Sequence, residues 1–344
     1  MALTNFVSSI VFTILCSSVA HSSKLDPVRT VFEFPKNTFV ENLAVRSNGQ
    51  ILVSVITTPQ LFLFNSVQVG EPTLIHNFTS ALGVAGIAEY DEDVFAVITG
   101  NFSFVTDDID VGPGTWAVWS VDLRGVESQP DNTLYPPPQI HKIADVNEAR
   151  SLNGISLLSK DKGTILVGDV SAGNIIRLDV ESGDYKVVIN NTFTLPAPAT
   201  IPSGVNGLHV RDGSVFLTNT GKSIFVEIPI NEDGTPAENG TVIAHTLGSI
   251  DEFDDFTFDR KGNAYLVTGR GNSVERISRD GRREVIIAGS LNSTMIAEPT
   301  SAAFGRGECD KNVLYVTTAG GFVTPVDGTI VIGGQLLAIT TDAE

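Results

Sequence analysis

The sequence has few cationic side chains. Its 344 residues hold 22 Lys and Arg against 40 Asp and Glu, so the formal net charge is −18. A polyanion of this kind repels nucleic acid and anionic lipid surfaces, and we therefore expect neither as a partner. After residue 20 there is also no run of eighteen uninterrupted apolar residues. The sequence thus predicts no membrane-spanning segment in the mature chain and no contact with a membrane.

Cysteine is almost absent as well, with only Cys16 and Cys309 in the chain. Residues 6–16 are apolar and uncharged, and Ser18-Val19-Ala20 has the small-x-small pattern of a signal-peptidase site. We predict a signal peptide at residues 1–20, a single domain at residues 21–344, and a protein of the secretory pathway that is secreted. Cleavage would remove Cys16, and the mature chain would then form no intrachain disulfide.

Sequons for N-glycosylation support this route. A single sequon occurs often by chance, but several behind a signal peptide favour export. The predicted glycosylation sites are Asn77, Asn101, Asn190, Asn239 and Asn292. Nothing in the sequence indicates an obligate protein partner.

One phrase recurs through the chain: a small polar pair, an alternating apolar strand, a tight turn and a second apolar strand. The pair falls at positions 42, 85, 153, 206, 254 and 300, so successive copies are 43 to 68 residues apart. The period of two within each copy indicates strands, and about fifty residues per copy suits a four-stranded blade. We predict an all-β fold: a six-bladed β-propeller with four-stranded antiparallel blades.

An open propeller would leave unpaired strand edges. Residues 28–34 alternate apolar and polar side chains ahead of the first repeat and predict a lone strand. We expect this N-terminal strand to close the last blade by joining strands at residues 329–332 and 335–339.

The polar pairs carry oxygen-bearing side chains in four of the six repeats. Equivalent positions converge on the axis of a propeller, so two carboxylates and two amides would meet there. Such hard oxygen ligands suit Ca²⁺, Mg²⁺ or Mn²⁺. The alternative is that the same residues cap turns and backbone groups at the strand starts. The four residues are Glu41, Asn153, Asn206 and Asp254.

The whole mature chain resembles the SMP-30/gluconolactonase-like six-bladed propellers, and more closely a fungal secreted branch of them. The phrases that carry the resemblance are ENLAVRSNG at residues 41–49, LNG at 152–154, GVNGL at 204–208, FLTNTG at 216–221, GNAY at 262–265 and PTSAAFG at 299–305. The lactonases hold a divalent ion with Glu, Asn, Asn and Asp from successive blades. The resemblance implies that Glu41, Asn153, Asn206 and Asp254 are those ligands, for Ca²⁺, Mg²⁺, Mn²⁺ or Zn²⁺.

The chain departs from the lactonases at two places. They carry an Arg two residues before the first ligand Asn, where it meets the sugar acid, whereas this chain has Ser151 there and Arg150 one step earlier. Their blade-four phrase continues with Trp, and here His209 and Val210 follow. These departures argue against a sugar-lactone substrate.

Characterised members of the fungal branch are hetero-Diels–Alderases of tropolonic sesquiterpenoid biosynthesis. The resemblance implies a pericyclase that joins a tropolone o-quinone methide to a humulene-type alkene, two hydrophobic small molecules, without a required cofactor. An acid–base pair would assist water loss from the precursor, and donors would stabilise the quinone-methide oxygen. The catalytic candidates are Glu41, Asp254, Asp255, Asn153 and Asn206. The substrate-binding candidates are Thr300, Phe253, Phe102, Trp116 and Phe322.

Two other functions remain open from the sequence. One is a divalent-metal-dependent lactonase or related hydrolase, and the other is a non-enzymatic small-molecule-binding propeller, because a fold does not fix a function. No G-x-S-x-G nucleophile elbow, no Cys/His zinc spacing and no phosphate-cradling glycine loop before a helix occurs in the sequence.

Overall fold

The computed structural model describes residues 28–65, 70–102, 114–198, 203–246, 251–279, 281, 283–285 and 290–343. These residues form six four-stranded antiparallel sheets, one per sequence repeat. The first strand of each sheet contacts the first strands of both neighbouring sheets, and the sixth contacts the first. The six sheets therefore surround a common axis, and the predicted six-bladed propeller is confirmed.

In blades one to five the strands follow in chain order from the axis outward. Blade one contains Val40–Val45, Ile51–Val55, Gln60–Phe64 and Thr73–Asn77. Blade two contains Gly83–Asp91, Val94–Gly100, Ala117–Asp122 and Gln139–Asp145. Blade three contains Leu152–Ser159, Thr164–Asp169, Asn174–Asp179 and Tyr185–Ile189.

The second half of the ring repeats this arrangement. Blade four contains Val205–Arg211, Ser214–Asn219, Ile224–Pro229 and Thr241–His245. Blade five contains Phe253–Phe258, Ala264–Thr268, Ser273–Ile277 and Arg283–Val285. Blade six contains Pro299–Phe304, Val313–Thr318, Gly333–Thr340 and the N-terminal strand Val28–Lys36. Outside the blades are a hairpin of Glu127–Ser128 with Leu134–Tyr135 and the 3₁₀ turns Thr220–Lys222 and Thr294–Ile296.

The N-terminal strand closes the last blade as predicted. Val28–Lys36 pairs antiparallel with Gly333–Thr340 and forms the outer edge of blade six. Residues 329–332 are not a strand, contrary to the prediction. Only an isolated bridge joins Ile330 to Val326, because the segment turns back through Asp327 and Gly328, both of which have positive φ. Gly333–Thr340 is the strand that takes this place in the blade.

Apolar side chains fill the spaces between neighbouring blades. Six buried clusters are found among the described residues. Five of them join two adjacent blades, and the one between blades two and three also includes Phe39, Ile56 and Ala319. The cluster between blades six and one includes Val31 and Phe34 of the N-terminal strand together with Val53 and Leu336. Burial of these side chains stabilises the ring where its two ends meet.

The innermost strands share one irregularity. In every blade the pairing of the first and second strands shifts register at the polar pair, for example between Val40 and Leu43 and between Phe253 and Phe256. A bulge of this kind re-aims side chains. It places the first residue of the pair on one side of the ring and the second on the other.

Two of the sequence predictions depend on residues outside the described part of the chain. The signal peptide at residues 1–20 lies outside this part and stays a prediction. The expectation that the mature chain forms no intrachain disulfide also stays a prediction, because the other cysteine, Cys16, lies outside the described residues. The described residues contain no helix long and apolar enough to cross a bilayer.

Candidate active site

A cavity of about 180 Å³ lies where the innermost strands begin. We call it the entrance cavity. Five of the six blades contribute the first residue of their polar pair to its wall, and the sixth has Ala85 at this position. The contributing residues are Glu41, Asn153, Asn206, Asp254 and Thr300. The predicted convergence of these positions on the propeller axis is therefore confirmed.

Amide–carboxyl hydrogen bonds join the polar residues across the blades. Asn153 Nδ2 donates to Glu41 Oε1 at 2.6 Å, and Asn206 Nδ2 donates to Asp254 Oδ1 at 2.8 Å. Thr300 Oγ1 donates to the Val40 carbonyl at 2.8 Å. The side chains are held by one another rather than by bulk water, so their positions are set before a ligand arrives.

Burial makes the two carboxyls hard to ionise. It raises the pKa of Glu41 from 4.5 to about 7, an effect that the Asn153 hydrogen bond opposes and the charges of Asp255 and Glu298 reinforce. Burial and the nearby charge of Glu41 also raise the pKa of Asp254 well above its ordinary value. Since like charges share a poorly solvated space, at least one carboxyl stays protonated near neutral pH and can donate a proton.

An aromatic wall faces these acids. Phe102 and Trp116 line the entrance cavity as predicted, and Phe39 joins them. Trp116 is 2% exposed, and its Nε1 donates to the Arg150 carbonyl at 2.8 Å, which fixes the ring plane. A Cβ on Gly100 would lie 2.4 Å from the indole, so only glycine leaves room for this packing.

Two predicted substrate-binding residues lie behind the cavity wall. Phe253 is fully buried in the cluster between blades four and five. Phe322 packs against Phe39 with ring centroids 6.1 Å apart. Neither belongs to the lining of the entrance cavity, so both support it through packing.

Asp255 points away from the entrance cavity, into the channel on the other side of the ring. Its Oδ2 accepts hydrogen bonds from Asn42 Nδ2 at 3.0 Å and from Ser301 Oγ at 2.9 Å. His209 Nε2 lies 3.3 Å from Oδ1. These partners come from blades one, six and four, so Asp255 ties four blades together at the axis. It lines the far cavity of about 340 Å³, which is built from the later halves of the innermost strands.

The entrance cavity contains three charged residues that the sequence reasoning missed: Glu252, Arg270 and Glu298. A signal for two of them was present, because side chains two residues apart in a strand share a face. The position two residues before the polar pair is Glu252 in blade five and Glu298 in blade six, and both line the cavity. Phe39 and Ser151 occupy the same position in blades one and three. Arg270 lies in a loop, where alternation gives no signal.

Glu298 is held in an unusual conformation. Its φ is 52°, a region that favours glycine. The backbone amides of Val323 and Thr324 each donate to its carboxylate at 3.0 Å. Burial raises its pKa to about 7, although these amides and the charge of Arg270 act in the opposite direction. The carboxylate thereby fixes Val323 and Thr324, which form part of the cavity wall.

The four oxygen-bearing side chains fit a hard divalent cation. They come from different blades, meet in one cavity and supply two carboxylates and two amide oxygens. Asn206 Oδ1 is buried and has no hydrogen-bond partner among the described residues, as expected for an atom placed to contact a ligand. No cluster of three His, Cys, Asp or Glu suited to a metal is found in the described part of the chain. Any cation would therefore depend on the two amides as well as the two carboxyls.

The other predicted positions are placed as follows. Ser151 lines the entrance cavity, whereas Arg150 is exposed and does not. His209 packs edge-to-face on Phe256 beside Asp255, in the far cavity. Four of the five sequon asparagines, Asn77, Asn190, Asn239 and Asn292, are exposed, and Asn101 is half-buried.

Comparison with known proteins supplies two relatives of named activity. A protein of Phoma sp. named "Putative hetero-Diels-Alderase" is 28% identical over 321 residues, which cover 85% of this chain and 86% of the relative. A protein of Sarocladium schorii named "Putative hetero-Diels-Alderase asR5" is 26% identical over 349 residues, covering 92% of this chain and 84% of the relative. The chain is similar to hetero-Diels–Alderases. The resemblance expected from the sequence is thus confirmed, and no protein-family model matches.

Solved structures share the fold. A luciferin-regenerating enzyme superposes with a TM-score of 0.61 at 17% identity, covering 92% of this chain and 95% of that one. A structure described as that of a "putative gluconolactonase" gives a TM-score of 0.58 at 13% identity over 92% of both chains. The calcium-binding protein regucalcin of Agrobacterium tumefaciens gives 0.57 at 14% identity, covering 92% and 95%. At these identities the likeness shows the propeller architecture alone.

Proposed function

We propose that this protein is a pericyclase that joins a tropolone o-quinone methide to a humulene-type alkene by a hetero-Diels–Alder reaction in the entrance cavity. The observation that carries the proposal is the pairing of two protonatable buried acids, Glu41 and Asp254, with an aromatic wall of Phe39, Phe102 and Trp116. Similarity to proteins named hetero-Diels–Alderases over most of the chain supports it.

The first step forms the quinone methide. The substrate is an alcohol whose hydroxymethyl group neighbours a ring hydroxyl. A protonated carboxyl donates its proton to the departing hydroxyl, which leaves as water, while an ionised carboxylate accepts the proton of the ring hydroxyl. No electrons are gained or lost, and the acid pair returns to its starting charge. Glu41 and Asp254 suit this exchange because their raised pKa values keep one proton between them near neutral pH.

The second step needs no proton transfer. The quinone-methide carbon and oxygen form one C–C and one C–O bond to the two alkene carbons, so no redox or group-transfer cofactor is required. Holding both reactants in a near-attack pose contributes at most about 7–11 kcal/mol. The second Nδ2–H of Asn153, whose other N–H is donated to Glu41, and the proton retained by the Glu41–Asp254 pair would stabilise charge on the quinone-methide oxygen.

The size of the cavity limits how the reactants bind. About 180 Å³ is below the roughly 300–1,000 Å³ of typical drug-sized ligand sites. We therefore place the tropolone ring, with its polar groups, among the acids, and the hydrocarbon partner nearer the opening against the aromatic wall.

The test is incubation of the purified protein with the tropolone alcohol and humulene, with products followed by mass spectrometry. The proposal predicts faster formation of the cycloadduct than in buffer, with Glu41→Gln and Asp254→Asn reducing the gain at least tenfold. A cycloadduct rate equal to that in buffer would refute the pericyclase and leave lactone hydrolysis or binding alone as the candidate functions.

A metal-dependent lactonase is the second candidate. It is favoured by Asn206 Oδ1, which has no partner among the described residues and lies in a cavity with three further oxygen-bearing side chains. A bound divalent ion would polarise a lactone carbonyl there. Hydrolysis of simple lactones that disappears in EDTA and returns with Ca²⁺, Mn²⁺ or Zn²⁺ would support this candidate. The cycloaddition, in contrast, should be insensitive to EDTA.

A further inference from the structure

Arg270 is the one cationic residue in the described lining of the entrance cavity. The same lining holds four carboxyls, Glu41, Glu252, Asp254 and Glu298. A guanidinium carries a positive charge and offers hydrogen-bond donors in a fixed plane. Arg270 is thus the one positive charge in the described lining, and an electron-rich oxygen of a ligand is attracted towards it.

A backbone hydrogen bond holds the loop that carries Arg270. This loop joins Ala264–Thr268 to Ser273–Ile277, and the amide of Gly269 donates to the Glu252 carbonyl at 2.9 Å. The side chain of Arg270 then pairs with Glu252, with Nε 3.1 Å from Oε2. Glu298 lines the same cavity.

The ion pair uses only one edge of the guanidinium. Its contact with Glu252 is through Nε, and no other partner of the group is found in the residues that the structure describes. The side chain is 48% exposed although it lines the cavity. The two Nη groups are consequently available as a planar pair of donors, the arrangement with which arginine binds two acceptor oxygens at once.

We propose that Arg270 recognises the tropolone-type substrate by donating from its two Nη groups to the pair of oxygens on neighbouring ring carbons. These oxygens lie in one plane and share electron density, as the two oxygens of a carboxylate do, and the guanidinium fork matches that arrangement. This role rests on the proposed function, for which it assigns the specificity-determining residue. It also accounts for Ser151: the cavity's cation comes from blade five instead of blade three.

Tropolone itself is the probe. Its binding to the purified full chain can be followed by quenching of tryptophan fluorescence, since Trp116 lines the cavity. We expect Arg270→Gln to raise the Kd for tropolone at least tenfold and Arg270→Lys to raise it less, because lysine keeps the charge but loses the fork. Arg124→Gln is the matched control, since Arg124 pairs with Asp122 on the surface and should leave the Kd unchanged.

Binding of humulene is the second measurement, because a hydrocarbon has no hydrogen-bond acceptor for the Arg270 guanidinium. The affinity for humulene should be the same in the wild type and in Arg270→Gln, which also shows that the variant is folded. An unchanged Kd for tropolone in Arg270→Gln would overturn the role of Arg270. Equal losses for tropolone and humulene would overturn it too, because they would indicate a general defect of the cavity.

Failure of the proposed role of Arg270 can be distinguished from failure of the proposed pericyclase function. Cycloadduct formed equally well by the wild type and by Arg270→Gln would refute the recognition role while the pericyclase stands. Tropolone binding that depends on Arg270, without any cycloadduct in the wild type, would refute the pericyclase while the recognition of the ring oxygens stands.

Discussion

Glu41 and Asp254 belong to blades one and five, yet they share one poorly solvated cavity. For Glu41 this has a consequence for stability. Its pKa is about 7 in the folded chain and 4.5 without burial. Between these two values the folded state holds a proton that the unfolded state has released, so the free energy of unfolding decreases as the pH rises.

Glu41→Gln should remove this dependence in EDTA-treated protein. We expect the Tm of the variant to equal that of the wild type near pH 4.5 and to exceed it increasingly up to pH 8, because glutamine has no charge to bury. Glu308→Gln is the control, since Glu308 is exposed and paired with Lys311, which lowers its pKa. A Tm difference that is the same at both ends of the pH range would contradict the burial of the Glu41 charge.

Neighbouring acids on the same strand should respond differently to substitution. Asp255→Ala leaves the buried Asn42 amide and Ser301 hydroxyl without their acceptor, which we expect to cost about 2–4 kcal/mol of unfolding free energy. Asp254→Asn keeps the shape of the side chain and removes a charge that is costly to bury, so its stability should not fall, while turnover should.

Urea unfolding and cycloadduct formation measured on both variants test this division. Asp255→Ala within 1 kcal/mol of the wild type would argue against its role in tying the blades together. Full turnover by Asp254→Asn would remove that residue from the reaction.

At the scale of the element, close approach of the innermost strands sets the geometry of the site. A Cβ on Gly154 would lie 2.0 Å from the Asn206 carbonyl oxygen, and one on Gly86 the same distance from the Asn153 carbonyl oxygen. Neighbouring blades therefore touch backbone to backbone at the bulges that aim Asn153 and Asn206 into the cavity.

Gly154→Ala should push blades three and four apart. Because the obstacle is backbone rather than a movable side chain, we expect a cost of about 3 kcal/mol or more and a lower Tm. Gly70→Ala is the control, since a Cβ there meets nothing within 4 Å. Equal Tm values for the two variants would show that the strands are not packed as closely as described.

The innermost strands were well predicted from the sequence, whereas the strands of the closing blade six were predicted less well. Six polar pairs followed by alternating strands were sufficient to predict six blades and the axial position of Glu41, Asn153, Asn206 and Asp254. Residues 329–332 were wrongly predicted as a strand because an apolar Ile-Val-Ile run satisfies the strand pattern whether or not it pairs. The opposed directions of Asp254 and Asp255 were not predictable, because they depend on a bulge that only the pairing register reveals.

At the scale of the whole molecule, secretion of this acidic chain with its five sequons remains a prediction. We expect the secreted protein to begin at residue 21 and to lose apparent mass on treatment with an N-glycosidase, with Asn77, Asn190, Asn239 and Asn292 modified, because their side chains are exposed. N-terminal sequencing and glycopeptide mass spectrometry measure both. A secreted product that retains residues 1–20 and carries no glycan would contradict this prediction.

The ring also determines which site residues the sequence could reveal. Arg270 was missed since it lies in a loop between strands and belongs to no repeat position, although the fold brings it beside Glu252 and Glu298. Residues that approach the axis from such loops depend on the closure of the complete propeller. Their contribution to the site is therefore a property of the whole molecule.

The central claim is that this cavity holds both reactants in one orientation while they combine. The most direct measurement is the enantiomeric excess of the cycloadduct, because an achiral quinone methide and an achiral alkene combine in buffer to a racemate. The account predicts one enantiomer in large excess with the wild-type protein and a return towards the racemate with Asp254→Asn. A racemic product from the wild type would contradict it.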